Sequence, residues 1–79
     1  MPKARALSGA DLLAIFQHFG FKKIAGTRHG KLRRETPSGR QTLTIPMHKD
    51  IDKGTLHAIF RQALRYIPEA ELAPYFYTE

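Results

Sequence analysis

The chain has 79 residues, of which 42% are hydrophobic, and its 13 lysines and arginines against 7 acidic residues give a net charge of +6. This length predicts one domain over residues 1–79, with a core over about residues 7–67 and a C-terminal tail from 68 to 79. The lack of cysteine excludes a disulfide scaffold and a thiolate zinc site. No apolar run reaches the roughly 18 residues of a membrane span, so we expect a cytoplasmic protein. The positive charge favours an anionic partner, although a solvated basic surface would explain it as well.

A first helix is predicted over about residues 9–19. Ser8 is a favourable N-cap, and Asp11 follows it at the spacing of a capping box. Gly20 stands where a helix commonly ends. An apolar stripe at helical spacing predicts the buried side: Leu12, Leu13, Phe16 and Phe19.

Three strands are predicted next, over about residues 21–25, 29–36 and 41–45. The composition of residues 37–40 is typical of a hairpin turn. Thr42 and Thr44 alternate with apolar residues, which is the pattern of a half-buried strand, and Pro46 ends it. A loop is expected over residues 47–51.

A second helix is predicted to begin after Asp52 as its N-cap and to stop at Pro68. Its apolar positions form a continuous seam: Leu56, Ile59, Phe60, Ala63, Leu64 and Ile67. A short turn is expected to start at Pro68. The aromatic segment 74–77 is expected to pack back on the domain or on a partner.

The resulting order, α-β-β-β-α, predicts an α+β fold in which two helices cover one face of a three-stranded antiparallel sheet. The other face would be open to solvent. Because side chains alternate along a strand, Leu32 should point towards the helices together with Gly30 and Arg34. The residues expected on the open face, beside Thr42 or Thr44, are His29, Lys31, Arg33 and Glu35.

This open face carries the main candidate site. RNA can be cut without metal when its 2′-hydroxyl attacks the neighbouring phosphorus, which requires a base, an acid and cations near the phosphoryl oxygens. His29 can serve as the base or the acid, and Lys31 and Arg33 can supply the positive charge. From spacing alone, an exposed polar strand without catalytic function explains the same residues more simply.

The chain has three further histidines, at positions 18, 48 and 57. His48 is a second acid–base candidate if its loop folds back, but a histidine that is merely exposed there is the simpler interpretation. His18 and His57 are expected to be solvated on the polar sides of their helices. No histidine pair has the spacing of a zinc site, so no metal and no cofactor is predicted. The outer face of the second helix, with His57, Arg61 and Arg65, either contacts phosphates or is simply solvated.

Three sequence features occur in order along the chain. The first is Ser8-Gly9-x-x-Leu12-Leu13 followed by Phe19-Gly20-Phe21, and the second is a histidine at position 29 running into Lys31-Leu32-Arg33-Arg34. The third is residues 43–48 (LTIPMH) followed by Lys53-Gly54-Thr55-Leu56, Ile59 and Gln62-Ala63. Together these features resemble one family, the HicA or YcfA-like bacterial toxins. The resemblance covers about residues 7–67. The third feature is the most specific because its pieces occur in order and at the expected distances.

The resemblance implies a double-stranded-RNA-binding-domain-like fold and a metal-independent endoribonuclease that cuts mRNA, with His29 as the catalytic histidine. It also implies a HicB-family antitoxin as protein partner. No membrane and no small-molecule ligand is expected. The candidate RNA-binding residues are Arg28, Lys31, Arg33 and Arg34. The sequence departs from the family pattern at one point. The family usually reads Gly-Ser-His, whereas Thr27 and Arg28 precede the histidine here. Arg28 thus replaces a small hydroxyl residue beside the catalytic position, and this replacement can reduce the nuclease activity. The alternative is a non-catalytic RNA-binding module of the same fold.

Overall fold

The computed structural model describes residues 3–26 and 28–78 of the chain. Along this part of the sequence the secondary-structure elements follow one another as β1 (Lys3–Ala4), α1 (Gly9–His18), β2 (Lys22–Ala25), β3 (His29–Thr36), β4 (Gly39–Pro46), α2 (Lys53–Ala63), α3 (Glu69–Phe76) and β5 (Tyr77–Thr78).

Both predicted helix starts are confirmed. Ser8 and Asp11 form a reciprocal capping box, in which the Asp11 N–H donates to Ser8 Oγ at 3.1 Å and the Ser8 N–H donates to Asp11 Oδ2 at 2.9 Å. At the start of α2, Asp52 accepts the Thr55 hydroxyl at 2.6 Å and the Thr55 N–H at 3.0 Å. These bonds satisfy amide groups that a helix leaves free in its first turn. The Thr55 hydroxyl, followed by its N–H, also holds the pKa of Asp52 below the ordinary carboxyl value.

Strands β2, β3 and β4 form an antiparallel sheet in that order. The hairpin between β3 and β4 is tighter than predicted, because β4 begins at Gly39 and only residues 37 and 38 lie between the strands. Pairing extends to Thr36 and Gly39, where the Thr36 hydroxyl donates to the Gly39 carbonyl at 2.9 Å. Next to this pair, Glu35 and Arg40 lie opposite each other and form an ion pair at 3.3 Å.

The predicted α-β-β-β-α arrangement is confirmed. Leu32, Leu43 and Ile45 are at most 1% exposed, and they belong to the same core cluster as the apolar residues of α1 and α2. The helices therefore cover one side of the sheet. The adjacent residues Lys31 and Thr44 are exposed on the other side.

The C-terminal segment adds more structure than the short turn expected at Pro68. Leu72 and Phe76 of α3 are 0% and 2% exposed and join the core cluster, which therefore extends beyond residue 67. The chain ends meet where β1 pairs antiparallel with β5. Pro74 lies inside α3, an eight-residue helix. A helix this short depends on packing rather than on intrinsic propensity, which explains why periodicity did not reveal it.

Within the described residues, none of the helices combines the length and the apolar character that crossing a bilayer would require.

Candidate active site and nucleic-acid interface

The uncovered side of the sheet, hereafter the open face, carries His29, Lys31 and Arg33 of β3 with Thr42 and Thr44 of β4. The register pairs Lys31 with Thr44 and Arg33 with Thr42. His29 and Lys31 are exposed, and Arg33 is half-buried. The predicted grouping of one imidazole and two cations on this surface is therefore confirmed as geometry. Its cause is the two-residue period of β3 combined with the burial of Leu32 against the helices.

A further cation joins this surface from the neighbouring strand. Lys22 of β2 pairs with Arg33 across the strands, so the two side chains share one side of the sheet. The carboxylate that alternation places on the same side, Glu35, is engaged by Arg40. The open face therefore carries several cations that are not paired with the carboxylate of the sheet. A surface that binds phosphate requires such cations.

The loop after β4 brings a second imidazole to the first. The ring centroids of His29 and His48 lie 6.4 Å apart, with the ring planes inclined by 58°. Both residues are exposed. The sequence predicts a second acid–base candidate at His48 if its loop folds back. In the structure the loop folds back and brings His48 beside His29. Two imidazoles at this separation can act on one phosphodiester from the solvent side, one as a proton acceptor and one as a proton donor.

Backbone hydrogen bonds on both sides hold the His48 loop. The Met47 N–H donates to the Arg28 carbonyl at 2.8 Å, which continues the β3–β4 pairing beyond His29. The Gly9 N–H donates to the His48 carbonyl at 2.7 Å. A Cβ atom at Gly9 would lie 2.6 Å from the Met47 Cα, so only glycine permits this approach. The Ser8-Gly9 motif thus has two tasks: Ser8 caps α1, and Gly9 fixes the loop that carries His48.

A second glycine shapes the approach to His29. Gly26 has a φ of +102°, in the left-handed region that favours glycine. A Cβ atom at this position would overlap the carbonyl oxygen of His29. The turn between β2 and β3 therefore depends on Gly26 for the backbone path into the first residue of β3. Thr27, the residue before Arg28, lies outside the described residues.

Arg28 immediately precedes His29 and is exposed. Its carbonyl is engaged by Met47, so its backbone position is fixed relative to the two imidazoles. Its side chain is exposed next to the first residue of β3 and carries a positive charge.

Arg34 does not join the other candidate RNA-binding residues. It is half-buried on the helix side of β3, and its guanidinium donates to Gln41 Oε1 at 2.8 Å, the Phe19 carbonyl at 2.8 Å and the Tyr66 carbonyl at 3.1 Å. The guanidinium carbon also lies 4.8 Å from the centroid of the Phe21 ring. Because these contacts occupy the donor fork inside the protein, we assign Arg34 to the connection between the sheet and the helices.

Gln62, which belongs to the third sequence feature, also has a structural task. Its side chain meets the outer edge of β4, accepting the Thr44 N–H at 3.1 Å and donating to the Thr44 carbonyl at 3.4 Å. One amide group thereby satisfies both backbone groups of an edge-strand residue, which blocks that edge from pairing with another strand. The same contact fixes Thr44 beside Lys31 on the open face.

The remaining histidines lie elsewhere. His18 packs near Phe19 and Tyr75, with ring centroids 5.3 and 5.5 Å away, and His57 Nδ1 lies 3.2 Å from the Tyr77 hydroxyl. Both are exposed, as predicted, but each has an aromatic neighbour that periodicity did not indicate. Over residues 3–26 and 28–78, no three histidine or carboxylate side chains come together in a way that could hold a metal ion.

Comparison with models of protein families matches residues 9–64 to the family described as the HicA toxin of bacterial toxin-antitoxin systems. The match spans well over half of the chain and includes α1, the whole three-stranded sheet and α2. The chain therefore belongs to the HicA toxin family, as its sequence features predicted. It is accordingly the toxin type of component in a toxin–antitoxin pair. No curated protein and no solved structure matches the chain.

Proposed function

We propose that this HicA-family protein is a metal-independent endoribonuclease that cleaves mRNA in the cytoplasm and so slows translation. The observation that best supports the proposal is the pair of exposed imidazoles, His29 and His48, whose ring centroids are 6.4 Å apart beside the cations of the open face. Such a pair has the acid and the base needed for transesterification of a phosphodiester in RNA, in which the 2′-oxygen replaces the 5′-oxygen on phosphorus.

In the proposed reaction one imidazole accepts the proton of a 2′-hydroxyl as its oxygen bonds to the adjacent phosphorus. The bond from phosphorus to the 5′-oxygen breaks, and the other imidazole donates a proton to that leaving oxygen. The products are a 2′,3′-cyclic phosphate and a 5′-hydroxyl, and the two proton transfers balance. Each well-placed acid or base contributes typically about 10²- to 10⁴-fold to such a rate.

Lys31 and Arg33 lie at different distances from His29 along β3. Lys31 is two residues from His29 on the same side of β3, about 7 Å along the strand, so it can reach the phosphate that reacts. Arg33 is four residues away, about 13 Å along the strand, which places it nearer to a neighbouring phosphate. Lys31 is therefore assigned to charge stabilisation during cleavage, and Arg33 to binding of the RNA backbone.

The proposed protein partner is the HicB-family antitoxin that the family resemblance implies. An antitoxin of the HicB family that covers the open face would shield both imidazoles and neutralise the exposed cations. We expect this partner to present carboxylates to Lys31 and Arg33, since charge complementarity favours specific association.

The first prediction concerns His29. We expect His29→Ala to lower the rate of RNA cleavage by at least about 10²-fold, because the reaction loses one of its two proton carriers. The measurement is a gel assay with purified protein, RNA and a chelator, and circular dichroism confirms that the variant is folded. His18→Gln, which removes an exposed imidazole of α1 that is not part of the open face, is the matched control and should cleave like the wild type.

Cleavage by His29→Ala at the wild-type rate would refute the assignment. If the wild-type protein binds RNA tightly and with strong salt dependence but leaves it intact at every pH, the non-catalytic RNA-binding module is the correct description instead.

The second prediction separates the tasks of the two imidazoles. We assign His48 as the acid, so His48→Ala should cleave ordinary RNA about 10²-fold more slowly than the wild type. The deficit should disappear with an RNA whose 5′-bridging oxygen is replaced by sulfur, because a thiolate leaves without needing a proton. If the sulfur substrate rescues His29→Ala rather than His48→Ala, the two assignments are reversed. If it rescues neither variant, His48 is not the acid.

A further inference from the structure

The exposed side of α2 is a second cationic surface that the proposed cleavage reaction does not use. Four basic residues recur there at every fourth position: Lys53, His57, Arg61 and Arg65. Arg65 lies outside α2, one residue beyond the C-cap Leu64, in the turn that closes the helix, where its N–H donates to the Gln62 carbonyl at 3.3 Å. We call these four residues the basic row. All four are exposed.

On the exposed side of α2, the residues between the cations are small and uncharged. The other exposed residues between positions 53 and 65 are Gly54 and Ala58, the two smallest side chains. The exposed residues of α1 and α3, by contrast, include the carboxylates Asp11, Glu69 and Glu71. Among residues whose placement is described, the one ion pair joins Glu35 to Arg40, so no described carboxylate forms an ion pair with the basic row. The nearest carboxylate along the chain is Asp52, which precedes Lys53 and accepts hydrogen bonds from Thr55.

The geometry of the row suits a long, regularly charged ligand. Residues four apart in a helix are separated by about 6 Å along its axis, so the row extends over about 18 Å. One strand of a double helix presents a phosphate about every 3.4 Å of its axis, so this length corresponds to about five phosphates. Gly54 and Ala58 leave room for a backbone to approach the helix closely.

We propose that the basic row is a second nucleic-acid-binding surface, which holds the phosphate backbone of a double helix without reading its sequence. Its chemistry favours nucleic acid over an acidic protein. Protein interfaces depend on a core of aromatic and apolar side chains, whereas phosphate contacts depend on isolated cations. The exposed side of α2 has the cations and lacks the apolar anchors. This inference does not depend on cleavage, because the row lies on a helix that packs on the other side of the sheet from His29.

The test measures binding of a fluorescent duplex DNA by anisotropy over a range of salt concentrations. DNA lacks the 2′-hydroxyl that the proposed cleavage requires, so the outcome is independent of nuclease activity. We expect Arg61→Gln combined with Arg65→Gln to reduce the salt slope by about 2, because each lost phosphate contact removes about one unit. Arg61→Lys with Arg65→Lys retains the charges and should preserve most of the slope.

The matched control is Arg5→Gln combined with Lys23→Gln, which lowers the net charge equally at exposed positions outside α2. If this control reduces the slope as much as the α2 variant, the effect comes from overall charge and the proposal is wrong. An unchanged slope in the α2 variant would overturn it too. Labelled polyglutamate provides the third comparison: binding as tight as that of the duplex, with the same loss in the α2 variant, would identify an acidic protein as the partner instead.

Discussion

Arg33 and Arg34 are neighbours in β3, yet they belong to two regions with different physical requirements. Arg33 lies on the open face opposite Thr42, next to the cation of Lys22. Arg34 lies on the side covered by helices, where its guanidinium bonds to two backbone carbonyls and one side-chain amide. An arginine on the open face thus presents its charge to a ligand, whereas an arginine on the covered side connects the sheet to other elements through hydrogen bonds. The alternation of side chains along the strand determines the side on which each arginine lies.

The two sides also differ in what a substitution should change. On the covered side, a side chain contributes through packing and satisfied hydrogen bonds, so its loss should appear in the free energy of unfolding. On the open face, a side chain contributes through contact with an anionic ligand, so its loss should appear in binding or cleavage. Three stability measurements sharpen this contrast.

The largest effect is expected at adjacent positions of β3. Leu32 is 0% exposed, and Leu32→Ala should lower the free energy of unfolding by about 2–5 kcal/mol, because it removes transfer energy and leaves a cavity. The exposed Lys31→Ala should change stability by less than about 0.5 kcal/mol. Urea unfolding of both variants measures the difference. Equal losses would mean that the two sides of β3 are not distinguished as described.

An intermediate effect is expected from the two arginines. Arg34→Ala should cost about 1–3 kcal/mol, because the half-buried carbonyls of Phe19 and Tyr66 lose a charged donor. Arg34→Lys should recover only part of this loss, since an ammonium cannot reproduce the guanidinium fork. Arg33→Ala should leave the unfolding midpoint almost unchanged and weaken RNA binding. Loss of stability in Arg33→Ala as large as in Arg34→Ala would contradict the assignment of the two residues.

The smallest effect is expected in the pH dependence of stability, through Asp52 at the N-cap of α2. The Thr55 hydroxyl and N–H lower the pKa of Asp52 in the folded protein, so the unfolded chain binds its proton more readily. The resulting stabilisation is complete above the ordinary value of 3.8 and is lost as the pH falls through the lowered value. Asp52→Asn retains a good N-cap without a titrating group. Thermal unfolding between about pH 7 and pH 2 should therefore show a shallower acid loss in this variant than in the wild type.

Much of the fold could be predicted because the local signals agree with one another. The capping box at Ser8 and the cap at Asp52 defined both helix starts, and the turn residues that begin at Pro37 marked the end of β3. The elements that were missed are α3 and the pairing of β1 with β5. An eight-residue helix and two-residue strands carry too little periodicity to be recognised, and they exist because distant parts of the chain meet them.

The part of the candidate site that depends on local sequence signals could also be predicted. His29, Lys31 and Arg33 share a side of one strand, which is a local property. The task of Gly9 was not predictable, because its N–H contacts a loop almost forty residues further along the chain. The same holds for Gln62, whose amide group satisfies an edge strand eighteen residues away.

Local signals in the amino-acid sequence were sufficient for the family, the α-β-β-β-α order and the side of β3 on which its imidazole and cations emerge, because caps, alternation and apolar spacing act over a few residues. The positions of His48 beside His29 and of the engaged Arg34 guanidinium, in contrast, became known from the three-dimensional structure. Both outcomes depend on contacts between segments far apart in the chain, and such contacts form only when the hydrophobic core brings α1, the sheet and the C-terminal segment together.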